Sequence, residues 1–196
     1  TGSSAEYGYA GTGPIPESAP LRPVGPYGIS KVAADLLARS YAQVRALPVA
    51  VVRPFNLVGP GQPDAYVCGK VVKQAVEIDL GKREEITLSE VSSRRDFVDV
   101  RDLAHAMMCL AGHPEFADRC AGKAFNVGTG VQTSDNALAR TMIEAAGVDV
   151  VLLTAAGCGS PPTDCGRPLA GAPALAEQPR AMSPAPRRAG RPGRSR

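Results

Sequence analysis

The stretch Pro26-Tyr27-Gly28-Ile29-Ser30-Lys31 opens a long helical pattern. Tyr27 and Lys31 are four residues apart, so on an α-helix their side chains lie on one face, one turn apart. A phenol alone titrates near about 10, and a nearby ammonium favours the phenolate, which makes a tyrosine a better proton donor at neutral pH. The same pattern also occurs as a surface tyrosine beside a solvated lysine, and the surrounding sequence is needed to decide between the two.

Apolar residues at helical spacing recur along the chain. They predict helices over residues 27–47 and 67–80, a third helix with Asp102 as its N-cap, and a last one that starts at Thr133 or Ser134 and stops at Gly147. The predicted inner face of the first helix is Ala33, Leu36, Leu37, Ser40, Tyr41 and Val44. Its predicted outer face is Asp35, Arg39, Gln43 and Arg45. For the last helix the predicted inner face is Leu138, Met142 and Ala145.

Short apolar runs between these helices predict strands at 49–52, 86–88, 97–100 and 125–127. Strands that alternate with helices indicate βαβ units. The predicted fold class is therefore α/β, a partial doubly wound, Rossmann-like parallel sheet with a disordered tail. In such sheets ligands bind beyond the carboxyl ends of the strands, which is where Ser4, residues 54–56 and Gly128 stand. The Gly/Pro-rich residues 9–26 predict a long loop of the kind that serves a site.

The composition changes at about Val151. Residues 151–196 contain eight prolines, nine alanines and seven arginines against two acidic residues. The segment carries +5, and since the whole chain carries +3, residues 1–150 carry −2. We predict a folded part at 1–150 and a disordered tail at 151–196. A basic tail can bind nucleic acid, but this one has no lysine or aromatic residue, so no nucleic-acid partner is expected. A shifted reading frame in GC-rich DNA is a second hypothesis for its composition.

The composition of the whole chain argues against a membrane-spanning, a disulfide-bonded and a metal-binding protein. With 44% hydrophobic and 21% charged residues the chain reads as an ordinary globular protein, and no apolar run is long enough to cross a membrane. No signal peptide is expected from its first residues. Its five cysteines form no C-x-x-C pair, which favours reduced thiols and a cytoplasmic location. His105 and His113 have no further ligands at metal-binding spacing, so no metal is expected.

Five ordered motifs carry a family resemblance. They are Gly2–Gly8, Pro26–Lys31, Arg53–Gly61, Arg95–Asp102 and Phe125–Gly128. Together they resemble the extended short-chain dehydrogenase/reductase family, the NAD-dependent epimerases and dehydratases that act on nucleotide sugars. In detail they are most similar to its GDP-4-keto-6-deoxy-mannose reductases.

The resemblance implies roles for five residues. Tyr27 would give a proton to the C4 oxygen of a keto sugar while NADP(H) or NAD(H) exchanges the hydride. Lys31 would tune Tyr27 and hydrogen-bond the nicotinamide ribose, and Ser4 would polarise the same carbonyl. Pro54 and Asn56 would line the cofactor together with Tyr27 and Lys31.

The resemblance also implies a substrate site for a nucleotide-diphosphate sugar. Ser4, Glu6, Asn56, Lys73 and Arg95 are its expected residues, with the lysine and arginine suited to the two phosphates. A homodimer packed through the Tyr-Lys helix is expected as well.

Two alternatives stay open. A 4,6-dehydratase needs a carboxyl acid beside the serine, and Ala5 cannot transfer a proton, although Glu6 remains; a 4-epimerase needs no extra acid.

The family's G-x-x-G-x-x-G turn, which holds the cofactor pyrophosphate, is missing, since Gly8–Gly13 runs into Pro14 and a loop. We therefore expect a fragment that lacks the cofactor-binding half, binds NADPH weakly or not at all, and is inactive alone. A non-enzymatic binding module is the rival interpretation.

Overall fold

A computed structural model of the chain describes residues 1–11, 13–88 and 93–147, together with the backbone of 151–154. The helices are α1 Gly25–Arg45, α2 Val67–Asp79, α3 Val100–Ala111, α4 Phe116–Arg119 and α5 Asp135–Ala146. The strands are β1 Val51–Pro54, β2 Asn56–Val58, β3 Glu85–Leu88, β4 Arg94–Asp99, β5 Ala124–Val127, β6 Gln132–Ser134 and β7 Val151–Thr154. A 3-10 turn occupies Ser4–Glu6.

The strand pairings confirm the predicted α/β class. β1 pairs with β5, β2 with β4, and β3 with β7, all in parallel, with Val52 opposite Phe125 and Leu57 opposite Val98. One pairing departs from the predicted parallel sheet, because β4 and β6 run antiparallel, with Arg95 opposite Thr133. Neither β2 nor β6 was predicted, since each has only three residues and neither forms an apolar run.

The predicted start of the tail needs correction. β7, Val151–Thr154, pairs along its whole length with Glu85–Leu88, so the boundary at residue 150 cuts off a strand of the fold. The prediction of disorder for the rest of the tail, residues 155–196, lies outside the described residues.

The apolar core lies between α2, α5 and β3. Its buried members are Val71, Ala75, Ile86, Leu88, Ala139 and Ile143. The predicted inner face of α5 was rotated by about one residue: Ala139 and Ile143 are buried, whereas Leu138 and Met142 are only partly buried and Ala145 is exposed. Ser134 caps this helix as predicted, accepting from the Ala137 N–H.

Helix α1 packs with the opposite face to the one predicted. Its buried residues are Gly28 and Asp35, while Leu36, Leu37, Tyr41 and Val44 are at least half exposed. The apolar pattern failed here because Asp35 is drawn inward by a buried arginine on β1, described below.

The cap of α3 also differs from the prediction. Asp99, not Asp102, is the N-cap, because its side chain accepts from the Arg101 N–H at 2.8 Å. Asp102 lies in the first turn, where a negative charge is favourable.

Candidate active site

The tyrosine and lysine that open α1 do share one helical turn. The Lys31 Nζ lies 5.7 Å from the centroid of the Tyr27 ring, within the range of a cation–π contact. Lys31 also donates a hydrogen bond from Nζ to the carbonyl oxygen of Thr1 at 3.1 Å. The Tyr27 side chain is 60% exposed, so its phenol is open to a ligand.

The segment that carries Ser4 lies against this turn of α1. The Gly2 N–H bonds to the carbonyl of Val52 on β1, and Ser3 then caps the 3-10 turn. Gly28 contacts this turn so closely that a Cβ there would lie 2.8 Å from the Ala5 carbonyl oxygen. Contacts at Thr1 and at Ala5 therefore hold the helix against the backbone on both sides of Ser4.

A cavity of about 290 Å³ is lined by residues of β2, α2 and β4, and its lining includes both polar and aromatic side chains. Among its lining residues are Asn56, Gln62, Tyr66, Lys70, Arg95 and Phe97. Asn56 of β2 pairs with Phe97 of β4, and Arg95 lies two residues before Phe97 on the same strand. The pairing of these strands therefore brings the two predicted residues Asn56 and Arg95 to one cavity. The Oε1 atom of Gln62 is buried and has no hydrogen-bond donor among the described residues.

The structure places the cation predicted from α2, Lys73, outside the lining of this cavity. Lys73 binds the exposed carboxylate of Asp64 at 2.6 Å and does not line the cavity. Lys70, one turn earlier, does line it, together with Arg95, whose side chain is half exposed. The cavity therefore presents two cations, only one of which the sequence predicted.

Glu6 is not available to a substrate, which corrects its predicted role. Its side chain is completely buried, accepts the Ser3 N–H at 2.8 Å and lies 3.0 Å from Arg53 Nε. Burial is the main cause that raises the pKa of Glu6 above its ordinary value, and the nearby Asp35 adds to it.

Arg53 stands at the centre of a buried polar cluster with Glu6, Asp35 and Tyr7. It bonds Asp35 from Nε and Nη2, at 2.9 and 2.8 Å, and donates from Nη1 to the Tyr7 hydroxyl at 2.7 Å. Burial alone would raise the pKa of Asp35, but the hydrogen bonds from Arg53 and Arg39 outweigh it and hold the pKa below its usual range. The cluster is thus an ionised carboxylate–guanidinium pair with a second carboxyl beside it.

The same cluster fixes the loop that precedes α1. The Tyr7 hydroxyl donates to Asn126 Oδ1 at 2.7 Å, and Asn126 in turn donates from Nδ2 to the carbonyl of Ile15 at 2.7 Å. The Glu17 carboxylate accepts from the Asn126 N–H at 3.0 Å. The long loop is thereby tied to the ends of β1 and β5.

Asp96 holds the loop that follows β5. Its Oδ1 accepts from the N–H and hydroxyl of Thr129, at 2.9 and 2.6 Å, and its Oδ2 accepts from the Gly130 N–H at 2.8 Å. A Cβ at Gly128 would lie 2.7 Å from that Oδ2, so the close approach requires glycine.

Sequence reasoning missed the residues of the buried cluster. The signal was present, since Arg53 interrupts the apolar strand Val51–Pro54, and a buried arginine needs partners. Pro54, predicted to line the cofactor, is buried at the end of β1 opposite Val127.

Among the described residues no three His, Cys, Asp or Glu side chains form a group that could hold a metal ion. Across that part of the chain, no helix is both long and apolar enough to cross a bilayer.

Comparison with known proteins gives a family model and curated relatives. The model described as GDP-mannose 4,6 dehydratase matches residues 1–156. GDP-6-deoxy-D-mannose reductase of Pseudomonas aeruginosa is 30% identical over 141 residues, which are 71% of this chain and 45% of that protein. dTDP-6-deoxy-L-talose 4-dehydrogenase of Kitasatospora kifunensis is 34% identical over 152 residues, 75% of this chain and 45% of that protein. UDP-glucose 4-epimerases and a dTDP-glucose 4,6-dehydratase are also among the relatives.

A solved structure has the same fold. The structure of RMD from Pseudomonas aeruginosa complexed with NADPH superposes with a TM-score of 0.71 at 28% identity, covering 79% of this chain and 51% of that one. The chain thus spans about half the length of the proteins that it matches.

Proposed function

The chain belongs to the extended short-chain dehydrogenase/reductase family, and we propose that it is the catalytic and substrate-binding part of a nucleotide-sugar 4-keto reductase. The observation that carries this proposal is the shared turn of Tyr27 and Lys31, held against the segment with Ser4. The preferred substrate is of the GDP-4-keto-6-deoxy-mannose type, in keeping with the name of the Pseudomonas relative.

In the proposed reaction the chain's own residues move a proton and hold the sugar. Tyr27 gives its hydroxyl proton to the C4 oxygen of the keto sugar, which becomes an alcohol, and Lys31 stabilises the phenolate that remains. Ser4 donates a hydrogen bond to the same oxygen and so stabilises the negative charge that develops on it. A bound NADPH or NADH supplies the hydride that C4 receives.

The residues present fit one end of a nicotinamide cofactor. Tyr27 is exposed, and Lys31 carries three N–H donors, of which Thr1 accepts one. The other donors can serve ribose hydroxyls. The pyrophosphate-binding glycine turn does not occur in this sequence, so affinity for the whole cofactor depends on polypeptide outside this chain.

The cavity beside Asn56 suits the nucleotide part of the substrate. Arg95 and Lys70 line the cavity as two cations that can bind a diphosphate, and Tyr66 and Phe97 can offer aromatic surface to a base. The volume of about 290 Å³ is at the small end of ligand pockets, which run from about 300 to 1,000 Å³, so the sugar extends beyond it. The buried Oε1 of Gln62 can accept a hydrogen bond from the base.

A second copy of the chain is the proposed partner. The apolar side chains of α1, Leu36, Leu37, Tyr41 and Val44, are at least half exposed and form one continuous stripe of the helix. A self-complementary patch of this kind suits a two-fold dimer.

The alternatives from the same family differ in what they need. A 4,6-dehydratase is disfavoured because Ala5 has no proton to transfer and Glu6 is buried against Arg53. A 4-epimerase stays open, since epimerases are among the relatives.

The experiment uses this chain in a polypeptide that also supplies a pyrophosphate-binding glycine turn, together with GDP-4-keto-6-deoxy-mannose and NADPH. The expected result is one NADPH consumed per sugar reduced, and a loss of about 10²-fold or more in kcat for Tyr27→Phe. Tyr41→Phe, on the same helix, is the matched control and should keep full activity. Sugar conversion without net NADPH consumption would identify an epimerase instead, and an unaffected Tyr27→Phe would exclude the proposed acid.

A further inference from the structure

We propose that Arg53 is a positioning residue that sets Ser4 and the Tyr27–Lys31 turn in one fixed arrangement. The proposal rests on the proposed function for the meaning of that arrangement. Its structural content, the mechanical coupling of two segments through one guanidinium, can be tested without turnover.

The cluster around Arg53 is buried. Arg53 is 1% exposed, and its partners Glu6, Asp35 and Tyr7 are each at most 2% exposed. A guanidinium in such a place has to be matched by carboxylates and hydrogen bonds on every side, because an unmatched buried charge is costly. Here Glu6, Asp35 and the Tyr7 hydroxyl supply those contacts at 2.7 to 3.0 Å.

The contacts of Arg53 with Glu6 and Tyr7 fix the 3-10 turn. Glu6 is the last residue of the 3-10 turn that starts at Ser4, and its Oε1 also accepts from the Ser3 N–H. Tyr7 follows directly and stacks under the guanidinium, with its ring centroid 5.1 Å from Arg53 Cζ. Arg53 therefore fixes the position of the turn that carries the Ser4 hydroxyl.

The contact of Arg53 with Asp35 fixes the rotation of α1 about its own axis. Tyr27, Lys31 and Asp35 are spaced four residues apart, so they follow one stripe along the helix. Asp35 is anchored at the buried end of that stripe by two nitrogens of Arg53. A helix held at Asp35 cannot turn about its axis without breaking these bonds, and so the anchor also sets the direction of Tyr27 and Lys31.

The geometry needs the planar fork of arginine, and charge alone does not suffice. Arg53 contacts Glu6 through Nε, Asp35 through Nε and Nη2, and Tyr7 through Nη1. A lysine ammonium at this position keeps the charge but cannot reach all three groups in one plane. Arg53→Lys therefore separates charge neutralisation from positioning.

The experiment is residue-resolved amide hydrogen exchange on Arg53→Lys. The amides of Glu6, Tyr7 and Gly8 are hydrogen-bonded within the turn, so their exchange reports its order. We expect them, and the amides of the first turns of α1, to exchange about tenfold faster, while the amides of Val71, Ala75 and Ala139 in the α2–α5 core stay unchanged. Arg83→Lys is the matched control, because it alters an arginine paired with Glu77 on the surface and should leave the turn unaffected.

If Arg53→Lys does not fold, Glu6→Gln gives a milder test. It keeps the shape of the side chain and replaces the carboxyl group that faces Arg53 by an amide, and we expect faster exchange at Tyr7 and Gly8 only. Exchange that rises equally throughout the protein shows a general loss of stability, and unchanged exchange shows that Arg53 couples nothing; either result overturns the proposal.

The second readout is kinetic, in the polypeptide that also supplies a glycine turn. Misplacing a catalytic group by about 1 Å can cost about 10²-fold in rate, so Arg53→Lys should lower kcat at least about tenfold while KM for the nucleotide sugar changes less than about threefold. A rise in KM alone would contradict a positioning role. A wild-type protein without turnover would refute the proposed function, and the exchange result would still decide the role of Arg53.

Discussion

Gly28 of helix α1 lies so close to Ala5 that a Cβ on the glycine would stand 2.8 Å from the Ala5 carbonyl oxygen. Replacement of a glycine inside a helix by alanine ordinarily gains up to about 1 kcal/mol in helix propensity, and Gly28 is the fourth residue of α1. Here the added methyl group meets backbone that cannot rotate away, and overpacking of this kind costs about 1–3 kcal/mol. We expect Gly28→Ala to lower the free energy of unfolding and to impair turnover, measured by chemical denaturation and by the reductase assay.

The control for this prediction is Gly13→Ala. Gly13 has open space around its Cβ position and no positive φ, so the methyl group meets nothing there. A Gly28→Ala variant as stable and as active as Gly13→Ala would show that α1 does not need its contact with Ala5.

Arg95 and Lys70 should determine affinity for the nucleotide sugar. Both line the cavity beside Asn56, and each loses a charged contact to phosphate when replaced by alanine. Such contacts contribute about 1.5–3 kcal/mol, so each variant should raise KM about tenfold or more with a smaller change in kcat. Lys73→Ala is the matched control, because Lys73 binds Asp64 outside the cavity, and it should leave KM unchanged.

The order of strands and helices could be predicted from the sequence because it depends on local signals. Short apolar runs, helical spacing and the left-handed cap Gly147 (φ 64°) each act over a few residues. The turn shared by Tyr27 and Lys31 is local as well, since helix geometry alone brings them together.

The orientation of α1 could not be predicted in the same way. A prediction from hydrophobic periodicity places every carboxylate on the solvent-exposed face of a helix. It therefore places Asp35 on that face. The reversal is caused by Arg53, eighteen residues further on, whose buried charge requires a carboxylate partner. The mistaken role of Glu6 has the same cause, and only contacts distant in sequence reveal either one.

Asp96 should contribute strongly to the free energy of unfolding, because it holds the loop after β5. It accepts three hydrogen bonds from Thr129 and Gly130, and hydrogen bonds to a charged group contribute about 1.5–3 kcal/mol. We expect Asp96→Asn to lose about 2–3 kcal/mol, because the amide NH₂ must face at least one N–H or O–H donor. Thr129→Val removes only the hydroxyl and should lose about 1 kcal/mol, as measured by denaturant unfolding. Equal losses for the two variants would show that the carboxylate is not the centre of this clamp.

The N-cap of α3 should give the fold an acid-dependent contribution. Hydrogen bonds from the Arg101 side chain and N–H lower the pKa of Asp99 to about 2, from an ordinary value of 3.8. Since the folded-state pKa is depressed, the contribution is fully present above about pH 4 and is lost as the pH falls from 3.8 towards about 2. The difference in unfolding free energy between the wild type and Asp99→Asn should therefore shrink over that interval.

The control for the acid dependence is an Arg101→Met background. There Asp99 keeps only the N–H bond of residue 101, so the effect of Asp99→Asn should depend much less on pH. A difference that grows as the pH falls would have the wrong sign and would contradict the assignment.

The exposed stripe of α1 should mediate self-association. Leu37 and Val44 are 60% and 73% exposed, and burying such side chains between two copies removes apolar surface from water at about 25 cal/mol per Å². We expect the wild-type protein to sediment as a dimer at micromolar concentration and the Leu37→Glu/Val44→Glu variant to sediment as a monomer, because four like charges would meet in the two-fold interface. Val131→Glu introduces the same charge at an exposed apolar residue outside α1 and should leave the dimer intact. A wild-type protein that stays monomeric at every concentration would contradict self-association through this stripe.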